Sequence, residues 1–311
     1  MAIYHLRVKY VKRSAGRSAV AASAYRSGTR QKDERTGETH DYTRKRDIEH
    51  AEILLPEGLP ERLFERGVLW NAVETGIKRK DGQPAFEVEA ALPRELSREQ
   101  CLGLVREFAN DMFVARGLPV DFAIHRTTAG DGGEHPHAHI LVGTRRFNPD
   151  GSLGLSARDV QDNPKLVAKV YALEEEGKVD EALLLQKDLN LGRWRRQWED
   201  YSNRFLAEGG SEARIDHRTL EAQQIAREPT PNVGFAFYGP LRAFTGHLAE
   251  RLDQLKAVGF RNAMREQMDR IRERAPDMAA EFVAHARQYG QRLFPELAPE
   301  AEPDRGPVHE R

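Results

Sequence analysis

The fold of the 311-residue chain is decided by residues 120–143, VDFAIHRTTAGDGGEHPHAHILVG. The stretch has apolar runs at both ends and a glycine-rich middle. This pattern predicts two antiparallel strands, 120–127 and 137–147, joined by a loop. His137 and His139 are two residues apart, so they point to the same face of their strand, and His125 ends the partner strand. The hairpin is therefore expected to bring three imidazoles together.

Three imidazoles on one face form a ligand set that suits a divalent cation with coordination positions left open for chemistry. Glu87 and Glu89 share one face of a neighbouring predicted strand, residues 86–92. A carboxylate there would accept a hydrogen bond from the second nitrogen of a ligating histidine. His135, in the loop, is interpreted as a bystander or a substrate contact. The pattern predicts a metal site built from the three histidines of the hairpin.

Periodicity in the rest of the chain predicts an α+β fold. Alternating apolar residues predict further strands at 3–11, 48–56 and 86–92, and the polar residues 31–45 indicate a hairpin or loop. Helical spacing and capping residues predict helices at 17–27, 61–79, 97–116, 164–189, 192–208 and 238–290, the last with a break near Gly259. Neighbouring strands can pair antiparallel, so we expect a central antiparallel sheet flanked by helices.

The mixed and the helical parts of the chain predict two domains. Residues 1–225 combine strands and helices, and residues 226–311 are expected to form a mainly helical C-terminal extension. The segment REPTPNVG, residues 227–234, has the proline and glycine content of a linker. The proline- and glutamate-rich tail, residues 296–311, is expected to be disordered.

The cysteine count and the hydropathy of the chain indicate where in the cell the protein is expected. Cys101 is the one cysteine, which excludes an intrachain disulfide and fits a reducing environment. No apolar stretch approaches the ~20 residues of a membrane span, and the N-terminus lacks the apolar core of a secretory signal. We therefore expect a cytoplasmic protein without membrane insertion.

The formal net charge is −1, from 48 Lys and Arg against 49 Asp and Glu, but the charge is unevenly distributed. Residues 1–32 carry eight basic residues and no acidic one. This imbalance predicts a local anion-binding surface. Its candidate contact residues are Arg13, Arg17, Arg26 and Arg30.

Tyr25 lies in this basic segment, on the predicted helix 17–27. A neutral tyrosine is a poor nucleophile, but nearby cations or a phosphate polarised by a metal would make attack on phosphorus feasible. From the residues alone, packing of the ring against the sheet is the simpler interpretation.

A set of motifs in a fixed order favours the nucleophilic role of Tyr25 over packing of its ring. The motifs are MAIYHLRVKY (1–10), AASAYRSG (21–28), DYTRK (41–45), ILLPEGLP (53–60), WNAVE (70–74), FEVEAALPREL (86–96), EHPHAHILV (134–142) and RIDHRTLEAQ (214–223), followed by REPTPNVG. Together they resemble the MobA/MobL relaxases of mobilizable and conjugative plasmids, over roughly the first three quarters of the chain. That family belongs to the His-hydrophobic-His endonucleases, whose fold is an antiparallel sheet with flanking helices, related to the replication-initiator nucleases.

The resemblance implies a role for each candidate residue. Tyr25 would attack the scissile phosphate at a nick site in an origin of transfer, forming a 5′-phosphotyrosyl link that can later be reversed. His125, His137 and His139 would hold one Mg²⁺ or Mn²⁺ against that phosphate. Glu87 or Glu89 would support a ligating histidine.

The resemblance also implies partners. These are single-stranded DNA at the origin of transfer with its adjacent duplex or hairpin, accessory proteins of the relaxosome, and the coupling protein of a type IV secretion system. Transfer of the protein into the recipient cell with the DNA is left open. Arg193, Arg195 and Arg196 are candidate contacts to the DNA backbone. Trp194 and Trp198 share a helix face with the spacing of core residues, which we favour over base stacking.

Two features depart from the family pattern. Ala138, between the paired histidines, is smaller than the bulky residue that names the superfamily, and the chain shows no P-loop motif of a helicase region. A non-catalytic DNA-binding accessory or replication regulator on the same fold remains an alternative. A metal-dependent hydrolase that uses activated water is a third.

Overall fold

A computed structural model describes residues 4–129, 132–218 and 246–274, together with residues 220, 223, 225, 227 and 228. The chain divides into two compact units, Met1–His217 and Arg218–Arg311. The predicted domain boundary at residue 225 stays a prediction, and the predicted disordered tail, 296–311, lies outside the described residues. No helix among the described residues is long and apolar enough to span a membrane.

The first unit combines strands and helices. Its strands are β1 (Leu6–Val11), β2 (Arg30–Lys32), β3 (Thr39–Asp41), β4 (Ile48–Leu54), β5 (Ala85–Ala91), β6 (Val120–Thr128), β7 (Glu134–Gly143), β8 (Arg145–Phe147) and β9 (Leu153–Ser156). Its helices are α1 (Ala19–Ser27), α2 (Arg66–Gly76), α3 (Arg98–Met112), α4 (Pro164–Glu175), α5 (Val179–Gln186) and α6 (Asn190–Glu208). In the second unit, the structure describes one helix, α7 (Gly246–Arg274).

A five-stranded antiparallel sheet in the order β1-β5-β7-β6-β4 forms the centre of the first unit, which confirms the predicted fold class. The hairpin of β6 and β7 supplies two of its three inner strands. In that hairpin His125 lies directly opposite His137. The pairing of β5 with β7 places Glu89 opposite His139. The register therefore brings the candidate site residues of three strands to one region of the sheet.

Helices cover both faces of the sheet. One face packs against α3 and α6 through a core that contains Phe108, Trp194 and Trp198. This confirms that the two tryptophans are core residues. The other face packs against α1 and α2 through a core that contains Val20 and Trp70. Because successive residues of a strand alternate between faces, the three histidines point to the side of the sheet that carries α1 and α2.

Helix α1 has clear reasons to begin and end where it does. The hydroxyl oxygen of Ser18 accepts hydrogen bonds from the amides of Val20 and Ala21, as an N-cap does. Gly28 follows the last turn with φ of 64°, a left-handed conformation that favours glycine. A Cβ at this position would also overlap the Cδ1 atom of Ile48. The helix therefore stops close to strand β4.

Buried carboxylates from other elements fix α1 on the sheet. Glu74 of α2 accepts a hydrogen bond from the Ala19 amide at 2.7 Å. Asp121, on β6, accepts one from the Ser23 hydroxyl at 2.6 Å. Trp70 donates its indole N–H to the same aspartate at 2.9 Å. These contacts join α1 to α2 and to the strand that carries His125.

Several predicted elements need correction. The predicted helix 61–79 is a 3₁₀ turn at Glu61–Phe64 followed by α2, which ends at Gly76. The predicted helix 164–189 divides into α4 and α5 around Gly177, whose φ of 74° interrupts a helix. The break predicted near Gly259 is wrong, because α7 runs through this glycine and an added Cβ would meet no neighbour there. The small hairpin of β8 and β9 was not predicted.

We expect Glu74→Gln to lower the free energy of unfolding by about 3 kcal/mol or more, because removal of one partner leaves a buried charge uncompensated. Glu74 is fully buried and accepts from Nε of Arg13 at 2.9 Å and from Nε of Arg35 at 3.0 Å. Urea denaturation measures the change. Asp81→Asn is the control, because Asp81 pairs with Arg79 in solvent and such pairs contribute about 1 kcal/mol or less. Equal effects of the two variants would contradict the proposed anchoring role.

Candidate active site

The imidazoles of His125, His137 and His139 form one cluster. The ring centroids of His125 and His139 are 4.5 Å apart, those of His137 and His139 5.0 Å, and those of His125 and His137 5.6 Å. One nitrogen from each ring can be chosen so that all three lie within 4.8 Å of one another. This spacing allows all three rings to contact a single cation.

In His137 and His139, one ring nitrogen is held in a hydrogen bond, which leaves the other nitrogen available to bind a cation. Nδ1 of His139 lies 2.6 Å from Oε1 of Glu87. Nδ1 of His137 lies 3.0 Å from the carbonyl oxygen of His135. Because carboxylate and carbonyl oxygens only accept hydrogen bonds, each Nδ1 donates and each Nε2 keeps its lone pair. This is the arrangement that holds metal-ligating histidines in orientation.

The third ring is oriented by the backbone of α1. Nε2 of His125 donates to the carbonyl oxygen of Arg26 at 2.7 Å, so the lone pair of the neutral ring is on Nδ1. Oδ2 of Asp47 lies 3.5 Å from that Nδ1. All three imidazoles thus present one lone pair and hold the other nitrogen in a hydrogen bond, so the donor set fits a divalent cation.

Burial sets the protonation of the cluster. It lowers the pKa of His125 and that of His137 to about 4. For Glu87 burial raises the pKa, but the charge of Arg26 and hydrogen bonds from His139 and Arg26 outweigh it and hold the pKa well below its usual range. At neutral pH the imidazoles of His125 and His137 are therefore neutral, and the Glu87 carboxylate is ionised. Metal binding requires neutral imidazoles, and an ionised carboxylate beside them supports a ligating ring.

Glu89 contacts His139 less directly than Glu87 does. It is paired with the ammonium group of Lys9 on β1, and its Oε2 lies 3.8 Å from Nδ1 of His139. Glu87, in contrast, is 2 % exposed and makes the direct hydrogen bond to that nitrogen. Of the two predicted carboxylates, the structure therefore places Glu87 as the direct support.

Arg26 connects α1 to two of the three histidines. Its guanidinium makes a double contact with Glu87, with Nε 2.6 Å from Oε1 and Nη2 2.5 Å from Oε2. The same carboxylate holds His139, and the Arg26 carbonyl holds His125. Because Tyr25 is the neighbouring residue in the chain, its backbone is held within one residue of the cluster.

The side chain of Tyr25 is open to solvent. It is 41 % exposed and does not belong to either core. The edge of the ring meets Tyr42, with centroids 5.2 Å apart and planes at 88°. Nζ of Lys45 lies 3.8 Å from the centre of the ring. The alternative that this aromatic packs into the hydrophobic interior is not what the structure shows.

The seven candidate DNA-binding arginines separate into two groups. Arg13 and Arg26 are engaged by the buried carboxylates Glu74 and Glu87, and Arg195 is paired with Glu174 and Gln186. These three guanidinium groups already have protein partners and little exposed surface, and their role as DNA contacts stays a prediction. The four that are exposed are Arg17, Arg30, Arg193 and Arg196. The last two lie on α6, which covers the opposite face of the sheet from the histidines.

Sequence reasoning missed the acidic residues that hold the site together. Asp121 and Glu74 were not singled out, because their partners lie far away in the sequence. A signal was nevertheless present, since a charged residue in an otherwise apolar strand, as in the VDFAI of β6, is costly unless paired. Lys45 and Asp47 were also missed, although Lys45 ends the quoted motif DYTRK.

Comparison with known proteins identifies relatives over most of the chain. The model of the MobA/MobL family matches residues 17–239. The chain is 36 % identical to the "Mobilization protein MobL" of Acidithiobacillus ferridurans over 88 % of its length and 72 % of the relative. It is 33 % identical to the "Probable mobilization protein MobA" of Bifidobacterium longum over 96 % of its length, but it spans only 55 % of that protein.

A solved structure is similar as well. The chain described as "Molecular Basis of Vancomycin Resistance Transfer in Staphylococcus aureus" aligns with 70 % of this chain and all of its own length. The TM-score is 0.57 and the sequences are 28 % identical. The similarity therefore extends to the three-dimensional arrangement of the matched part.

We expect the protein to bind one Mn²⁺ ion and His137→Ala to weaken binding at least about tenfold, because one of three nitrogen donors is lost. Isothermal titration calorimetry on protein stripped with EDTA measures this. His135→Ala is the matched control, since the hydrogen bond from His137 is accepted by the backbone carbonyl of His135, which alanine retains. Unchanged affinity in His137→Ala would exclude this ligand.

We expect the metal-free protein to lose stability between pH 6.5 and about 4. Unfolded histidines take up protons from a pKa near 6.5, whereas folded His125 and His137 resist protonation until about 4, so acidification in this window favours the unfolded state. Melting temperatures recorded across this range in EDTA test the sign. His137→Gln removes one of the two rings and should show a smaller decrease than the wild type. Identical decreases would show that His137 contributes nothing.

Proposed function

Because the chain belongs to the MobA/MobL family of mobilization relaxases, which act in conjugative plasmid transfer, we propose that it nicks one DNA strand at a plasmid origin of transfer with Tyr25 as the nucleophile. The observation that carries this proposal is the double role of Arg26, which connects the residue next to Tyr25 with His125 and, through Glu87, with His139. An exposed phenol thereby stands on a helix that is anchored to a three-histidine cluster.

The proposed reaction is a transesterification. The phenolic oxygen of Tyr25 forms a bond to phosphorus while the bond from phosphorus to the 3′-oxygen breaks. The phenolic proton is given up and the 3′-oxygen gains one, so the products are a 5′-phosphotyrosyl link and a free 3′-hydroxyl. Because one ester replaces another, the reverse reaction can rejoin the strand.

The residues of the histidine cluster would hold a cation beside the reacting phosphate. A divalent cation, Mg²⁺ or Mn²⁺, bound by the three imidazoles would stabilise charge on the non-bridging oxygens of the phosphate. Glu87 keeps His139 in orientation, and the carbonyl of Arg26 does the same for His125. The exposed position of the phenol leaves room for a DNA strand to approach it.

Among the exposed arginines, Arg17 and Arg30 flank α1 in the sequence and are the proposed phosphate contacts near the nick. Arg193 and Arg196 are proposed contacts for flanking duplex or hairpin DNA. Relaxosome accessory proteins and a coupling protein of a secretion system remain proposed partners. The proposed place of action is the bacterial cytoplasm, where the plasmid is.

We expect the wild-type protein with Mn²⁺ to form a covalent, SDS-resistant adduct with a single-stranded oligonucleotide that carries its nick site. Oligonucleotides tiled across candidate origins of transfer provide the substrate. Tyr25→Phe should bind the same oligonucleotide but form no adduct, because the attacking oxygen is absent. Tyr201→Phe is the control, since Tyr201 lies on α6 and bonds to Asp111.

Three other outcomes would point elsewhere. Cleavage by Tyr25→Phe that leaves free DNA ends would indicate a hydrolase that uses water. Adduct formation by Tyr25→Phe would place the nucleophile at another residue. Binding without any adduct in the wild type, with both Mg²⁺ and Mn²⁺, would favour the non-catalytic accessory protein.

A further inference from the structure

Lys45 covers the face of the Tyr25 ring. Its Nζ lies 3.8 Å from the ring centroid, well within the distance of a cation–π contact. The lysine side chain is only 16 % exposed, so its charge lies in a sheltered place and not in open solvent. Together with Tyr42, whose ring meets the edge of the same phenol, Lys45 restricts the ring from two sides.

The position of Lys45 is fixed relative to the histidine cluster. Nζ of Lys45 lies 3.5 Å from Oδ2 of Asp47, and the same oxygen lies 3.5 Å from Nδ1 of His125. The Asp47 carbonyl accepts a hydrogen bond from the amide of Arg126, the residue after His125, at 2.8 Å. A continuous chain of contacts therefore runs from the phenol through the ammonium group and the carboxylate to a candidate metal ligand.

The segment that carries Lys45 is also attached to the end of α1. The amide of Tyr42 donates to the carbonyl of Thr29 at 3.2 Å, and the amide of Lys45 donates to the carbonyl of Tyr42 at 3.0 Å. The turn at Tyr42–Lys45, which follows β3, is thereby attached to the second residue after α1. The ammonium group and the phenol are thus supported by the same backbone.

We propose that Lys45 is a positioning residue for Tyr25: its ammonium group orients the ring and attracts the negative charge that the phenolic oxygen develops as it bonds to phosphorus. This inference rests on the proposed function. In the forward step the oxygen–phosphorus bond forms, the bond to the 3′-oxygen breaks, and the proton lost by the phenol is balanced by the one gained by the 3′-oxygen. In the reverse step the phenoxide is the leaving group, so the same charge assists both directions.

The surroundings of Lys45 separate this role from that of a simple phosphate contact. An arginine or lysine that binds the DNA backbone normally presents its charge to solvent, as Arg17 and Arg30 do. Lys45 instead presents its charge to an aromatic face and a carboxylate. We therefore expect its removal to slow the reaction without a comparable loss of DNA affinity.

The first test compares Lys45→Met, which keeps the apolar stem but removes the charge, with Lys45→Arg, which keeps the charge. In single-turnover nicking, Lys45→Met should be slower by about tenfold or more, because the attraction to the charge that develops on the phenolic oxygen is lost. Lys45→Arg should stay within about threefold of the wild type. Rejoining should slow by the same factor, so the fraction of adduct at equilibrium is unchanged.

Binding of the oligonucleotide, measured in the Tyr25→Phe background with and without Lys45→Met, should differ by less than about twofold, because no phosphate contact is lost. The proposal is overturned if Lys45→Met nicks at the wild-type rate. It is also overturned if DNA affinity falls as much as the nicking rate, because Lys45 would then be a phosphate contact.

A second test does not depend on nicking. An arylsulfonyl fluoride reacts with a phenolate oxygen, forming a sulfur–oxygen bond and releasing fluoride, and peptide mass spectrometry reports the labelled tyrosine. Labelling of Tyr25 should be about tenfold slower in Lys45→Met and should recover in Lys45→Arg, with Tyr201 as the internal reference. Equal labelling of Tyr25 in all three proteins overturns the role of Lys45. If the wild type forms no adduct but labelling follows this pattern, the proposed nicking reaction fails, and what stands is that Lys45 activates the Tyr25 phenol.

Discussion

The structure depends on the ion pair between Arg26 and Glu87. A double contact between a guanidinium and a buried carboxylate is both strong and geometrically restrictive. Glu87 also holds His139, so one carboxylate fixes the helix that carries Tyr25 and one ring of the histidine cluster. If the two charges separated, each would be left in a sheltered place without compensation, at a cost of several kcal/mol. The pair therefore stabilises one position of α1 on the sheet.

The same principle applies along the whole of α1. Its N-terminal amide bonds to Glu74, a hydroxyl at its centre bonds to Asp121, and an arginine in its last turn bonds to Glu87. Each carboxylate comes from a different element, so the helix is fixed in register as well as in orientation. Small residues make this close packing possible, because Ala19 and Ala24 are fully buried against neighbouring elements. A site that needs an accurately placed nucleophile gains from such rigid support.

Short-range patterns predicted the scaffold, and long-range pairs could not be predicted from them. The alternation in β6 and β7 and the spacing of His137 and His139 were sufficient to place three imidazoles on one face, because strand geometry leaves little freedom. The basic segment 1–32 did not reveal that Arg13 and Arg26 are paired with carboxylates. Their partners, Glu74 and Glu87, are both 61 residues away in sequence, so a count of charges shows the sign of the segment but not which charges are neutralised. The split of the predicted helix 164–189 was missed for a more local reason, since a glycine within a helical pattern does not reveal its φ angle.

The distribution of charge around the cluster suits imidazoles as its candidate metal ligands. The nearby carboxylates already have cationic partners: Glu87 has Arg26, Glu89 has Lys9, and Asp47 has Lys45. What points to the centre is a set of rings, two of which burial keeps neutral down to about pH 4. A divalent cation bound by neutral ligands retains its full charge, whereas one bound by carboxylates would be largely neutralised. The proposed reaction, which attracts a phosphate group and then stabilises extra charge on it, would need neutral ligands at the centre and carboxylates outside it.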